Sequence, residues 1–497
     1  MIARILRGLV ALLAAAQLGG CASLYFDDAG APPSPPPQYD LKHWPYREYW
    51  TGIVFNGSKI GFSRLSIAPA RDGAGLYEIR SESTFLLKFL GLEKQFQLTS
   101  LDRVRDDLTL VEFAHDYSMD GNKLKLTGAV AGDSMQVAVV TGGNRSEQQI
   151  PLTGPLYPTS VIPLYPLRHG LEIGRRYAYA AYDGQTQTLA QVEQDIQGYE
   201  RSKLFTGNAF KVRSTMLGHA STMWMNELGK PVFELALNGV LISALESEHE
   251  AKRYLALASL NKKDVMLDFS LVRVDAPIRE PRRATTMKIA LEGLNGATLP
   301  PPDAGQRCET ADGALLCEIR SLRPPSVSAP SAPNGDAKYL RPSITVPSYD
   351  PRIRAQAREI AGAEAPPAAV ARLVDWMQKN IERSPVDVFS ALDVLEGRKA
   401  ECQGHAYLYA AFARALAIPT RVVNGLVYSE EHQGFLYHSW NESLIGDVWL
   451  PVDPTFGQVG ADATHIKLIE GEAAADLLPL VDVVGKIRAR VVSFDAP

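Results

Sequence analysis

A cysteine that opens an apolar helix, followed by strand-like runs carrying a histidine and an aspartate, leaves few folds open to this chain. The cysteine lies in Glu401-Cys402-Gln403-Gly404-His405-Ala406. Before it, Ser390 to Glu396 reads as a short helix, with Ser390 as N-cap and Gly397 as the stop. From Cys402 onward, Ala406, Tyr409, Ala410, Ala413 and Leu416 recur at helical spacing. Cys402 therefore stands at a helix N-terminus, where unpaired amides and the helix dipole favour an anion. Arg398 and Lys399 in the preceding turn add positive charge, so a depressed thiol pKa is expected. The alternative is a small buried structural cysteine.

Thr420 to Tyr428, Gly434 to Leu444 and Val448 to Asp453 read as strands, with a tight turn at Ile445-Gly446. A turn centred there places position 438 opposite position 453, on one face with Cβ atoms about 5 Å apart. Sliding the turn by one residue moves the pairing by two and leaves the pair diagonal on that face. A thiol, an imidazole and a carboxylate in this order supply a nucleophile, a base and an orienting group: Cys402, His438 and Asp453. His405, one helical turn after Cys402, competes as base but has no opposed carboxylate in the sequence. The alternatives are a core histidine at 438 and a turn aspartate before Pro454.

The residues from about Asp350 onward resemble the bacterial transglutaminase-like superfamily, which is related in architecture to papain-like thiol enzymes. The motifs that carry the likeness are Ser390-Ala391-Leu392-Asp393-Val394-Leu395, Cys402-Gln403-Gly404-His405-Ala406 and the run Ala413 to Val423. They continue in His438-Ser439-Trp440-Asn441-Glu442 and Trp449-Leu450-Pro451-Val452-Asp453-Pro454-Thr455-Phe456-Gly457. The resemblance implies Cys402 as nucleophile, His438 as base and Asp453 as orienting carboxylate. It also implies an α+β domain in which the cysteine helix packs on an antiparallel sheet. The residue before the nucleophile is often Asp or Gly in the family and is Glu401 here, which bears on substrate preference. Gln403 and Trp440 are candidate substrate-site residues; Trp440 either walls the thioester site or anchors the core. No Asp-rich calcium loop is present, and neither metal nor cofactor is expected.

At 497 residues, more than one domain is expected. Residues 1–20 read as a signal segment, with Arg4 and Arg7 before an apolar core too short to span a bilayer. Leu18-Gly19-Gly20-Cys21 resembles a lipobox, the alternative being a secretory signal with an incidental cysteine. The likeness to bacterial lipoproteins implies acyl chains on Cys21 and firm anchoring, and Ala22 favours the outer membrane in a two-membrane cell. Residues 21–45 form a proline-rich tether. Strand alternation and frequent turns, among them Asn56-Gly57, Asp72-Gly73, Asp120-Gly121 and Gly142-Gly143, make 46–165 and 166–281 two antiparallel β-rich modules. Residues 282–320 read as a small β-element. There Cys308 and Cys317 flank an Asp312-Gly313 turn and can close a disulfide, which leaves Cys402 as the unpaired thiol. Residues 321–349 are a linker and 350–497 the catalytic domain.

The expected protein is an exported, lipid-anchored thiol enzyme facing the periplasm or exterior. It acts on peptide or carboxamide bonds, as protease or amidase if water resolves the thioester and as protein-glutamine acyltransferase if an amine does. Its partners are a protein or peptide substrate, a cell-envelope component among the candidates, and the membrane through Cys21. A net charge of −5 gives no sign of nucleic-acid binding. The competing class is a catalytically silent envelope scaffold or binding module on the same fold.

Overall fold

The computed structural model describes residues 25–71, 75–89, 92–258, 264–294, 303–311, 313–324 and 337–496. The signal segment, Cys21, the Asp72-Gly73 turn, Asp312 and residues 325–336 of the linker lie outside them. The N-terminal part is one sixteen-stranded sheet in which sequence neighbours pair hairpin by hairpin. Turn chemistry sets the hairpins. At Asn56-Gly57 φ is 45° and 75°, and at Asp120-Gly121 it is 48° and 92°, the paired left-handed conformations that a type I′ turn requires. The expected division into two modules is not a break in the sheet, because Leu241–Glu246 pairs antiparallel with Glu48–Phe55 and joins the halves. Leu156–Pro158, which pairs with Arg176–Asp183, is the sheet's parallel exception.

The sheet curls so that one half covers the other. Ile67, Ile79 and Val104 share a core with Tyr157, Leu164, Tyr179 and Val192. Phe113, Leu126 and Val137 share another with Leu156 and Tyr182. Alternation along the strands supplies these apolar faces.

The C-terminal part is α+β. Gln458–Val459, Val448–Asp453, Gly434–Ile445, Thr420–Ser429 and Ile466–Glu470 form its central sheet in that order, with Val272–Arg273 added beside Gly434–Ile445. The helix Cys402–Ala415 packs on it together with Pro351–Ala361, Pro366–Asn380 and Ala391–Gly397 around an apolar core. A four-stranded sheet of Gln306–Ala311, Ala314–Arg320, Thr286–Glu292 and Arg488–Asp495 covers Leu426, Tyr428, Phe435 and Ile466 of the central sheet. The region read as a separate β-element is therefore a layer of the C-terminal α+β unit, and 488–495 is a strand of it. Cys308 and Cys317 face each other in register and are disulfide-bonded, with Cys317 fully buried.

A further difference concerns Gly397. It stays helical, and Arg398 takes the left-handed position with φ 55°. The stronger signal there is the Ser390–Asp393 capping box at the other end of that helix.

Candidate active site

Glu401 caps the helix that begins at Cys402. Its Oε1 accepts from the amides of Gln403 at 2.8 Å and Gly404 at 3.3 Å. Gly404 is needed for packing: a Cβ there would lie 2.6 Å from the Ala400 Cβ and 2.9 Å from Val388. The Cys402 thiol donates to Glu401 Oε2 at 3.0 Å. This overturns the expected thiol acidity. Burial and then the Glu401 carboxylate push the thiol well above its ordinary pKa, although the Ser439 backbone amide favours the thiolate. Arg398 and Lys399 are exposed, and Arg398 stacks over Trp376. Glu401 is itself pushed up to about 7, by burial first and then by Asp387.

His438 and Asp453 meet, but in a shifted register. Ile445 pairs with Val448 and Asn441 with Val452, so the turn is Gly446-Asp447 and the pairing moves by two residues. The two side chains lie diagonally on one face, and His438 Nε2 is 2.8 Å from Asp453 Oδ2. That leaves Nδ1 free to exchange a proton with a reacting group. Asp453 is fully buried, and its Oδ1 accepts from the amides of Thr455 at 2.7 Å and Phe456 at 3.1 Å. Burial works against its charge, yet the two neighbouring imidazoles outweigh this and hold it well below the usual carboxylate range. Burial also lowers the His438 pKa despite Asp453, which favours the neutral, proton-accepting ring at pH 7.

The second imidazole is His465, which the sequence reading missed. Its Nε2 is 3.0 Å from the same Asp453 Oδ2, and its Nδ1 is 3.0 Å from the Asp462 carbonyl. Burial opposes its charge, but Asp462 and Asp453 push its pKa up to about 9. Its one local signal is the Asp462-Ala463-Thr464-His465 turn, where the Asp462 carboxylate accepts from the Thr464 amide at 2.9 Å. Donor atoms of His438, Asp453 and His465 lie within 4.8 Å of one another. In this arrangement they are engaged with each other.

His405 Nδ1 is 2.9 Å from the Glu401 carbonyl, and burial lowers its pKa. Trp440 is buried beneath the imidazoles, stacked on His438 at 6.1 Å between ring centres and edge-on to His465 at 5.2 Å. Gln403 donates to the Tyr407 hydroxyl at 2.5 Å. A cleft of about 550 Å³ is bordered by Cys402, Glu401, His438 and Phe456, with Arg383 and Lys94 on its walls. Neither Trp440 nor Gln403 borders it.

Residues 354–454 match the family model described as the transglutaminase-like superfamily. No curated protein matches the chain. A structure from Cytophaga hutchinsonii described as a candidate cysteine protease is similar at 19% identity, covering 43% of this chain and 90% of its own, with a TM-score of 0.28. The periplasmic domain of TgpA from Pseudomonas aeruginosa is similar at 18% identity, 38% and 88% coverage and a TM-score of 0.25. A β-barrel-like protein of a domain of unknown function from Brucella abortus shows 6% identity, 40% and 95% coverage and a TM-score of 0.31.

Proposed function

We infer, from a domain whose residues 354–454 match the transglutaminase-like superfamily, that this protein is an acyl-transferring thiol enzyme acting on peptide or carboxamide bonds. The observation that carries the reading is the buried 2.8 Å bond between His438 and Asp453 at a cleft shared with Cys402. In the proposed mechanism His438 takes the Cys402 proton, and the sulfur attacks the carbonyl carbon. His438 then returns the proton to the leaving amine as the thioester forms. The Cys402 amide, at the open end of its helix, stabilises the oxyanion. Water resolves the thioester in a protease or amidase, and a lysine amine does so in a protein-glutamine acyltransferase. The reading puts this chemistry on an exported chain anchored through Cys21, supported by the lipobox-like Leu18-Gly19-Gly20-Cys21.

One observation favours the silent-scaffold reading. Burial, and with it the Glu401 carboxylate, favours the protonated thiol in the free protein. A Gln-containing peptide incubated with and without a primary amine, its products weighed by mass spectrometry, separates the outcomes. Deamidation or cleavage marks hydrolysis, and a mass gain equal to the amine less ammonia marks transamidation. Neither product with wild-type protein, together with no labelling of Cys402 by a thiol probe, would establish the scaffold.

A further inference from the structure

The wall of the cleft next to the nucleophile is held from outside the catalytic unit. Lys94, on the strand Leu92–Arg105 of the N-terminal sheet, is only 3% exposed. Its ammonium lies 2.7 Å from Asp387 and 2.8 Å from Asp120. The Asp387 amide donates to Asp120 at 3.2 Å, and Asn122 donates to the Asp387 carbonyl at 2.6 Å. The residue before Asp387 completes the link, since the Val386 carbonyl accepts from the Glu401 amide at 3.2 Å. Lys94 and the Asp120–Asn122 turn of the adjoining hairpin thus grip the segment that Glu401 leans on, and Cys402 follows directly.

We propose that the N-terminal sheet is a working part of the catalytic cleft and that Lys94 is its positioning residue. It fixes the 384–387 wall against the nucleophile helix and supplies the cation that offsets the carboxylates beside the thiol. This rests on the reading of Cys402 as the reacting group.

The charges around the thiol show why Lys94 matters. Glu401, Asp387 and Asp453 stand on its carboxylate side, with Glu430 and Glu431 on the rim. His438, with His465 behind it, and His405 are the nearby imidazoles. Of the cations on the cleft, Arg282 is tied to Asp462 at 2.7 Å and to the Tyr428 carbonyl. Arg383 stacks over Phe456 at 4.8 Å. Lys94 acts on Glu401 and lowers its pKa. Burial opposes the charge of Lys94 itself, yet Asp387 and Asp120 keep it protonated. The lysine therefore stays cationic wherever the enzyme is folded.

The test is the pH dependence of Cys402 alkylation by iodoacetamide in the full chain, followed by mass spectrometry with Cys402→Ala as blank. Lys94→Met should move the midpoint upward by about one pH unit, from loss of a nearby cation at intermediate dielectric. Lys94→Arg, which keeps the charge, should hold the wild-type midpoint. A merely structural role would lower the melting temperature of Lys94→Met and leave the midpoint in place, and that result would overturn the proposal. If Lys94→Met does not fold, Asp387→Asn carries the test. It removes a negative charge from the cleft wall while Lys94 stays tied to Asp120, so the thiolate gains a net cation and its midpoint should fall, and an unmoved midpoint counts against the role. A wild-type protein unlabelled at Cys402 at every pH would instead sink the thiol-enzyme reading itself.

Discussion

His465 donates through Nε2 to Asp453 at 3.0 Å, on the same carboxylate oxygen that holds His438. The Asp453 carboxylate is therefore shared between an imidazole that should be neutral and one that should be charged. Burial lowers the His438 pKa, and His465→Gln removes a positive charge that adds to that lowering. The acid limb of the activity profile should move to higher pH, with turnover down about 10- to 100-fold as for other lost orienting partners. A profile that falls in height without moving would show that His465 serves packing alone.

The same residue makes stability pH-dependent. Its folded pKa, about 9, exceeds the ordinary value of 6.5. Its contribution is therefore fully present below about pH 6.5 and is lost as pH rises through about 9. The wild-type melting temperature should decline across that window. The loss should be on the order of a few kcal/mol. His465→Gln should flatten the decline, measured by thermal melts from pH 6 to 10.

Cys402→Ala should abolish turnover and His438→Ala should come close. Asp453→Asn should cost about 10²–10⁴ in rate, and the losses should be far from additive because the three groups act together. His405→Ala is the control, since its Nδ1 is occupied by a backbone carbonyl. Loss of activity in His405→Ala with His438→Ala spared would move the base onto the helix.

Reducing the Cys308–Cys317 bond should cost about 2–3 kcal/mol in the chain-entropy picture. Cys317 packs under Leu426 and Phe435 of the central sheet, so the catalytic unit should melt earlier along with its covering layer. Below the melting transition Cys402 labelling should persist. Two free thiols at 308 and 317 in protein purified under oxidising conditions would contradict the pairing.

Cys21→Ala tests the anchor. The variant should appear in the soluble exported fraction, and unchanged membrane retention would remove the lipid from the account.

Much of the site could be read from the sequence because the relevant order is local. Period-two alternation puts His438 and Asp453 on one face whichever of two neighbouring turns forms. The reading placed the turn one residue early, since Gly446, with φ 69°, is its first residue and not its second. What the sequence concealed is non-local. His465 reaches Asp453 because Ile466–Glu470 joins the sheet beside Thr420–Ser429, a pairing no periodicity encodes. Lys94 lies 293 residues from Asp387. The thiol environment was misjudged for a related reason. A helix start lowers a thiol pKa, but burial and the turn of the Glu401 side chain are decided by tertiary packing.

The seam between Glu48–Phe55 and Leu241–Glu246, locked by Lys59 on Glu246 at 2.7 Å, has a kinetic consequence. The other junctions of the curled sheet are mostly hairpins, which close in microseconds and need little chain. The seam must bring together segments almost two hundred residues apart in sequence, and loop closure on that scale is slow. The two halves can gather as separate hairpin arrays, with the seam as the late step. Until it forms, both of its strands are unpaired edges that another chain can capture. Hydrogen-exchange pulse labelling should find the amides of 48–55 protected last, and a chaperone that shields strand edges would have most to offer during that interval.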